Sequence, residues 1–264
     1  LLDQSHDRAI RAFRAEWRSR NESTESRDSL QSYRERLRST SVGEILSAAE
    51  AGDGRFDDLR FREWGRYASE ADLEVVRRHL TSTQRPAVIA RLLWVFSARA
   101  VPAIAPQLIE WTRHSDDDVR RRGVAALEQI ELPLVRDHAL AELTAGGPRA
   151  GGVVGLLAGN YRPGDEMRVL ESLEELPADD WNRHSLLMDV VKLLKANPEA
   201  DRSALGLIAY ACTPCEMCRF DAARVLQEAG LAPGWLIEEC RFDSSRRSRE
   251  FAAGVAGPRE SEVE

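Results

Sequence analysis

The sequence predicts an all-α protein, an α-solenoid of about six stacked helix pairs behind an N-terminal helical cap. Three observations predict it. Apolar residues recur three and four apart along almost the whole chain, which is helix spacing and not strand spacing. Prolines at 102, 133, 163, 198 and 233 open successive two-helix units, at a period of roughly thirty residues that falls within the range of helical repeats. The 264 residues could form two ordinary domains, but recurrence favours one array, since stacking has no natural size limit.

Residues 1–55 read as a helical lead-in and cap, 56–254 as the array, and 255–264 as an acidic, frayed tail. In the lead-in, Ile10, Phe13 and Trp17 make Asp7 to Arg20 an amphipathic helix, and Leu30, Tyr33 and Leu37 make Asp28 to Arg38 a second. Ser41 to Glu50 follows and stops at Gly52 and Gly54. Phe56 to Ser69 carries the densest aromatic group, Phe56, Phe61, Trp64 and Tyr67. Such a stripe fills a core or, if exposed, makes a recognition platform, which sets Trp64 as a candidate partner-binding residue.

Regular pairs begin at Glu70. Ala71 to Thr81 pairs with Ala87 to Arg99, and Pro102 to Arg113 with Asp118 to Ile130. Between the latter two stands Ser115-Asp116-Asp117-Asp118, whose oxygens and charge suit the free N–H groups of a helix start. Leu134 to Thr144 pairs with a glycine-rich stretch, Gly151 to Gly159. Those glycines weaken a helix by up to about 1 kcal/mol each, so they imply a close backbone approach. The stretch lacks the Gly-Lys-Ser/Thr ending of a phosphate loop. Asp165 to Leu176 pairs with Trp181 to Ala196, Ala200 to Ala211 with Pro214 to Ala229, and Pro233 to Cys240 with Ser244 to Ala253. Gly230 ends its helix as a glycine one residue past the last turn.

The order Pro, apolar helix, Asp-rich turn, Val119-Arg120, then Ala and Leu resembles a HEAT/armadillo-type helical repeat over residues 101–130, and the period extends the resemblance over roughly 56–254. The resemblance implies a solenoid whose second helices line a concave surface for a protein partner. The segment from Thr213 to Arg219, continuing through Trp235 to Asp243, is similar to the terminal repeat of bacterial HEAT-like proteins, which implies that Cys215, Cys218 and Cys240 act together. A second resemblance, to HEAT-like DNA glycosylases, implies a duplex-gripping cleft and places Trp111, Asp118, Arg120 and Arg121 in it.

The four cysteines, Cys212, Cys215, Cys218 and Cys240, have the spacing C-x-x-C-x-x-C and then a fourth after twenty-one residues, a legitimate four-thiolate metal pattern. Three readings stand open: buried apolar plugs between the last repeats, a structural zinc stapling them, or an iron–sulfur cluster or redox pair. Thr213 is expected to cap a helix starting at Pro214, with Glu216 closing a capping box. The five histidines lie far apart, and neither H-E-x-x-H nor G-x-S-x-G occurs. His79 and His114 are read as helix C-terminal residues.

The formal net charge of −7 argues against a protein built mainly to neutralise phosphates. Basic patches such as Arg120-Arg121-Arg122 remain as local candidates. Lys192 and Lys195 are the only lysines among 37 basic residues, a bias that reflects GC-rich bacterial coding rather than phosphate recognition. No apolar run reaches the ~20 residues of a membrane span, no secretion signal is visible, and the expected compartment is the cytoplasm. Leu1 in place of Met points to a trimmed start. The expected function is a non-catalytic protein–protein scaffold, with Arg120, Arg121, Trp64 and Trp111 as partner-binding candidates; nucleic-acid binding is the alternative.

Overall fold

The computed structural model describes residues 24–52, 57–146, 150–173 and 180–255. The expected helix Asp7 to Arg20 and the tail beyond Val255 lie outside these residues. Among the described residues every regular element is helical and there is no strand. None of these helices is long and apolar enough to cross a membrane. The chain divides into two compact units, residues 1–98 and 99–264.

In the first unit, α1 spans Thr24–Ser39, α2 Val42–Ala51, α3 Asp57–Tyr67, α4 Glu70–Ser82 and α5 Pro86–Phe96. Their ends follow from local chemistry. Ser41 opens α2 with a capping box, its hydroxyl accepting from the Glu44 amide while the Ser41 amide donates to the Glu44 carboxylate at 2.8 Å. Gly52, at φ 68°, closes that helix in the left-handed region. Ser69 caps α4, and Pro86 begins α5 where its missing N–H costs nothing. Phe61, Leu73, Leu80, Leu92, Leu93 and Phe96 are fully buried and form the core.

The aromatic stripe divides between these roles. Phe61 is buried, and Trp64, only 3% exposed, donates its indole N–H to the Thr40 carbonyl at 3.0 Å. Trp64 therefore belongs to the core and offers no platform to a partner. Tyr67 is half-exposed beneath the Arg38 guanidinium, 4.5 Å from its ring centroid. Phe56 lies outside the described residues.

In the second unit, a 3-10 turn at Pro102–Ile104 leads into α6, Ala105–Trp111. The single helix expected from Pro102 is broken because Pro106 must fall in a first turn. Then come α7 (Asp117–Leu127), α8 (Pro133–Ala145), a helical turn at Ala150–Val153 running into a 3-10 turn at Val154–Leu157, α9 (Asp165–Ser172), α10 (Asp180–Ala196), α11 (Ser203–Cys212), α12 (Glu216–Glu228), α13 (Gly234–Arg241) and α14 (Arg246–Gly254). Of the acidic turn before α7, Asp116 is the cap, accepting from the amides of Asp118 at 2.9 Å and Val119 at 3.1 Å.

α6 packs on α7, α8 on the 150–157 turns, α11 on α12 and α13 on α14, whereas α10 packs chiefly on the 150–157 turns, α11 and α12 rather than on α9, the partner that the period predicts for it. First helices also touch first helices, α6 to α8, α8 to α9 and α9 to α11, while the second-helix row runs from α7 to 150–153, on to α10, and then to α12. Polar struts join neighbours about one period apart. Arg113 Nε donates to Glu142 at 2.7 Å, and Arg136 makes a two-pronged pair with the buried Asp165 at 2.9 and 2.5 Å. Asn160 donates to the Ile130 carbonyl at 2.9 Å and accepts from the Leu132 amide at 2.8 Å, and Arg219 reaches Asp243 at 2.6 Å.

One device is used twice. Arg120 Nη1 donates to the carbonyls of His114 and Ser115 at 2.8 and 2.9 Å, and Arg249 Nη1 donates to those of Asp243 and Ser244, both at 2.7 Å. Each arginine satisfies the turn that feeds its own helix, at the same offset of six and five residues.

Candidate functional site

The second helices α7 and α10 face each other across the short 150–157 turns, and a groove of about 590 Å³ opens between them. Residues of this length of chain would ordinarily form a second helix as long as its neighbours. Glycine at 152 and 155 leaves instead a short, shallow element over which longer side chains can meet.

Gly155 lies behind two of the groove's lining residues, Glu128 and Asp189. A Cβ there would sit 2.6 Å from Glu128 Oε1 and 3.1 Å from Asp189 Oδ1, so the missing side chain is what admits these two carboxylates. Gly155 thus permits side chains, not a second backbone, to approach. Lys192 Nζ binds the same Glu128 at 2.6 Å, joining α10 to the end of α7. Burial, reinforced by the Glu128 charge and opposed by Lys192, pushes Asp189 up to about 7.

The rim combines apolar and charged groups. Trp181 is 72% exposed and Met188 47% exposed, both on the groove side of α10, opposite Val124 of α7. Arg120 and Arg121 also line the groove, but they are engaged: Arg120 with Asp117 and the two turn carbonyls, Arg121 with Asp118. Trp111 lies outside it, half-buried where α6 crosses Gly123. Trp64 belongs to the first unit. The structure therefore gathers Arg120 and Arg121, leaves Trp111 behind α7 and removes Trp64 to a core; Trp181 and Met188 take the exposed positions.

On α10, one turn from the groove residues, His184 faces the start of α12. The cysteine segment is organised differently from the sequence expectation there. α12 begins at Glu216, with Cys215 as its extended N-cap residue (φ −99°, ψ 122°), while Thr213 stands two residues earlier and accepts the Cys215 amide at 3.4 Å. Pro214 and the absence of a side-chain oxygen at 215 leave no capping box. The amides of Cys218 and Met217 face the Cys215 sulfur without closing a cap, and their partial positive charge lowers its pKa. Cys218, buried, is pushed up to about 11 by desolvation.

The ligating atoms of His184, Cys215 and Cys218 lie within 4.8 Å of one another, with His184 Nε2 3.3 Å from Cys218 Sγ. The other two cysteines stay apart from this group. Cys240 is buried in the last turn of α13, its sulfur 3.8 Å from the Tyr210 hydroxyl of α11, and burial raises its pKa. Cys212, the last residue of α11, is half-buried and free, as are all four thiols. Cys240 is separated because α13 packs against the first-helix row, at Tyr210 and Trp235, while Cys215 and Cys218 open a second helix.

His184 is the residue that reading the sequence missed, and a signal for it exists. It precedes Cys218 by thirty-four residues, close to the spacing of the prolines, and the helices that carry the two residues, α10 and α12, lie side by side. Compared with protein-family models, with curated proteins and with solved structures, the chain matches none.

Proposed function

We propose that this is a non-catalytic interaction protein, in which residues 99–254 form a HEAT-like α-solenoid and the row of second helices receives a segment of a protein partner. The observation that carries this reading is the groove between α7 and α10, with Trp181 and Met188 exposed on one wall. A large aromatic side chain held largely in water contributes little burial to its own fold, whereas aromatic anchors dominate interface energies. The pattern of helix neighbours and of struts one period apart supports the solenoid reading.

Duplex recognition is less well supported. It requires a basic stripe with cations available for phosphates, and the two groove arginines are neutralised by Asp117 and Asp118.

A photoreactive benzoylphenylalanine placed at Trp181 or Met188 tests the proposal, with the same residue at exposed Arg168 of α9 as the control. The expected outcome in host extract is a discrete cross-linked protein from the groove positions and none from Arg168. Equal labelling at all three positions would defeat the groove reading. Salt-dependent retardation of short duplex DNA at low ionic strength would replace it with the nucleic-acid reading.

A further inference from the structure

We propose that His184 Nε2, Cys215 Sγ and Cys218 Sγ bind one divalent zinc ion, with a fourth coordination position left to water or a small exogenous donor. The inference is independent of the groove proposal.

The geometry is close to what the ion requires. Tetrahedral zinc, with Zn–S of about 2.3 Å and Zn–N of about 2.0 Å, separates its sulfur ligands by roughly 3.8 Å and a sulfur from a nitrogen by roughly 3.5 Å. The three ligating atoms already converge within 4.8 Å, and the Cys218–His184 separation is 3.3 Å. Two thiolates and an imidazole form a donor set that suits zinc and disfavours magnesium and calcium, which take oxygen ligands.

The local sequence also makes sense as a ligand arrangement. An N-cap position favours Asp, Ser, Thr or Asn, and Asp116 fills the corresponding place before α7. Before α12 the place is held by Cys215, which makes no cap. Cys218 then occupies the buried position that Val119 takes in α7, three residues past the cap, so that the two sulfurs share one edge of the helix start. His184 enters from the neighbouring second helix and meets the Trp181 ring edge-on, with centroids 6.5 Å apart. Zinc here would clamp α10 to α12.

The fourth position follows from exposure. Cys218 is buried, whereas Cys215 and His184 are half-exposed and define the side of the cluster that faces water. Neither Cys212 nor Cys240 joins the converging atoms. A site with three protein ligands and a replaceable fourth differs from the closed four-cysteine staple that spacing alone suggests.

The experiment uses the full chain, reduced and stripped of metal, titrated with cobalt(II) and then zinc(II). One equivalent of cobalt is expected to give thiolate-to-metal charge transfer in the near ultraviolet and strong tetrahedral bands in the visible, and one equivalent of zinc is expected to bleach both. Cys215→Ser should abolish the charge-transfer intensity of a two-thiolate site and His184→Gln should weaken binding at least tenfold. Both residues are half-exposed, and far-ultraviolet circular dichroism checks that each variant is folded. Cys212→Ser and Cys240→Ser should bind as the parent does. Azide or imidazole should shift the visible bands through the open position. Absence of charge transfer in the folded, reduced chain would overturn the site, as would undiminished binding by His184→Gln or loss of binding in Cys240→Ser. Bands indifferent to added donors would overturn the open fourth position.

Discussion

Asp189 holds its proton up to about pH 7 because its surroundings disfavour its charge. Burial on the inner face of α10 and the neighbouring Glu128 raise it from 3.8 to about 7, and Lys192 recovers only part of the loss. The sign of the pH effect follows from linkage. Between about pH 4 and pH 7 the folded chain keeps a proton that the unfolded chain has released, so stability falls as pH rises through that window. The contribution is fully present below the unfolded value and is lost above about 7. At about 1.4 kcal/mol per unit, Asp189→Asn is expected to stabilise the fold by ~2–4 kcal/mol at pH 8 and hardly at all at pH 4. Urea midpoints at the two pH values measure this, and an equal shift at both would refute it. Little of this was visible in the sequence. Asp116 could be read as a cap from its neighbours alone, since capping is decided within three residues. His184, Asp189 and Glu128 acquire their roles from partners twenty-seven to sixty-four residues away, beyond what local spacing reports.

Among the elements, close packing is set by glycines whose substitution costs differ. At Gly65 in α3 a Cβ would strike the Val95 carbonyl oxygen, a backbone atom of α5 that cannot give way. At Gly155 it would meet the ends of two side chains, of which Glu128 can give way by a small shift together with its partner Lys192. Gly65→Ala is therefore expected to cost about 3 kcal/mol or more and Gly155→Ala about 1 kcal/mol, within the range for overpacking; chemical denaturation of the two variants ranks them. Helix positions were legible to within a few residues because apolar spacing, prolines and caps are local signals. The breaks were less so. Pro106 split the expected helix from Pro102, and the 150–157 stretch became two short turns, in which Gly155 yields room to the carboxylates of Glu128 and Asp189.

For the molecule as a whole, the two compact units meet in sequence at residues 98 and 99, inside the span that periodicity alone reads as one array. Each unit carries its own buried core: Phe61, Leu92 and Phe96 in one, Leu108, Leu127 and Leu156 in the other. A chain beginning at Arg99 is expected to fold by itself with a cooperative urea transition and native-like helical dichroism. A broad, non-cooperative transition would show that the second unit needs residues 1–98.

The struts of the second unit are short in sequence: Arg113 to Glu142, Arg136 to Asp165 and Arg219 to Asp243 each enclose fewer than thirty residues of a 264-residue chain. Closing such small loops costs little entropy, and the cost does not grow as units are added. In the α-solenoid proposed above, consolidation of this region would begin at any adjacent pair and spread outward, so that the time to reach the native state would depend on its weakest junction rather than on total length.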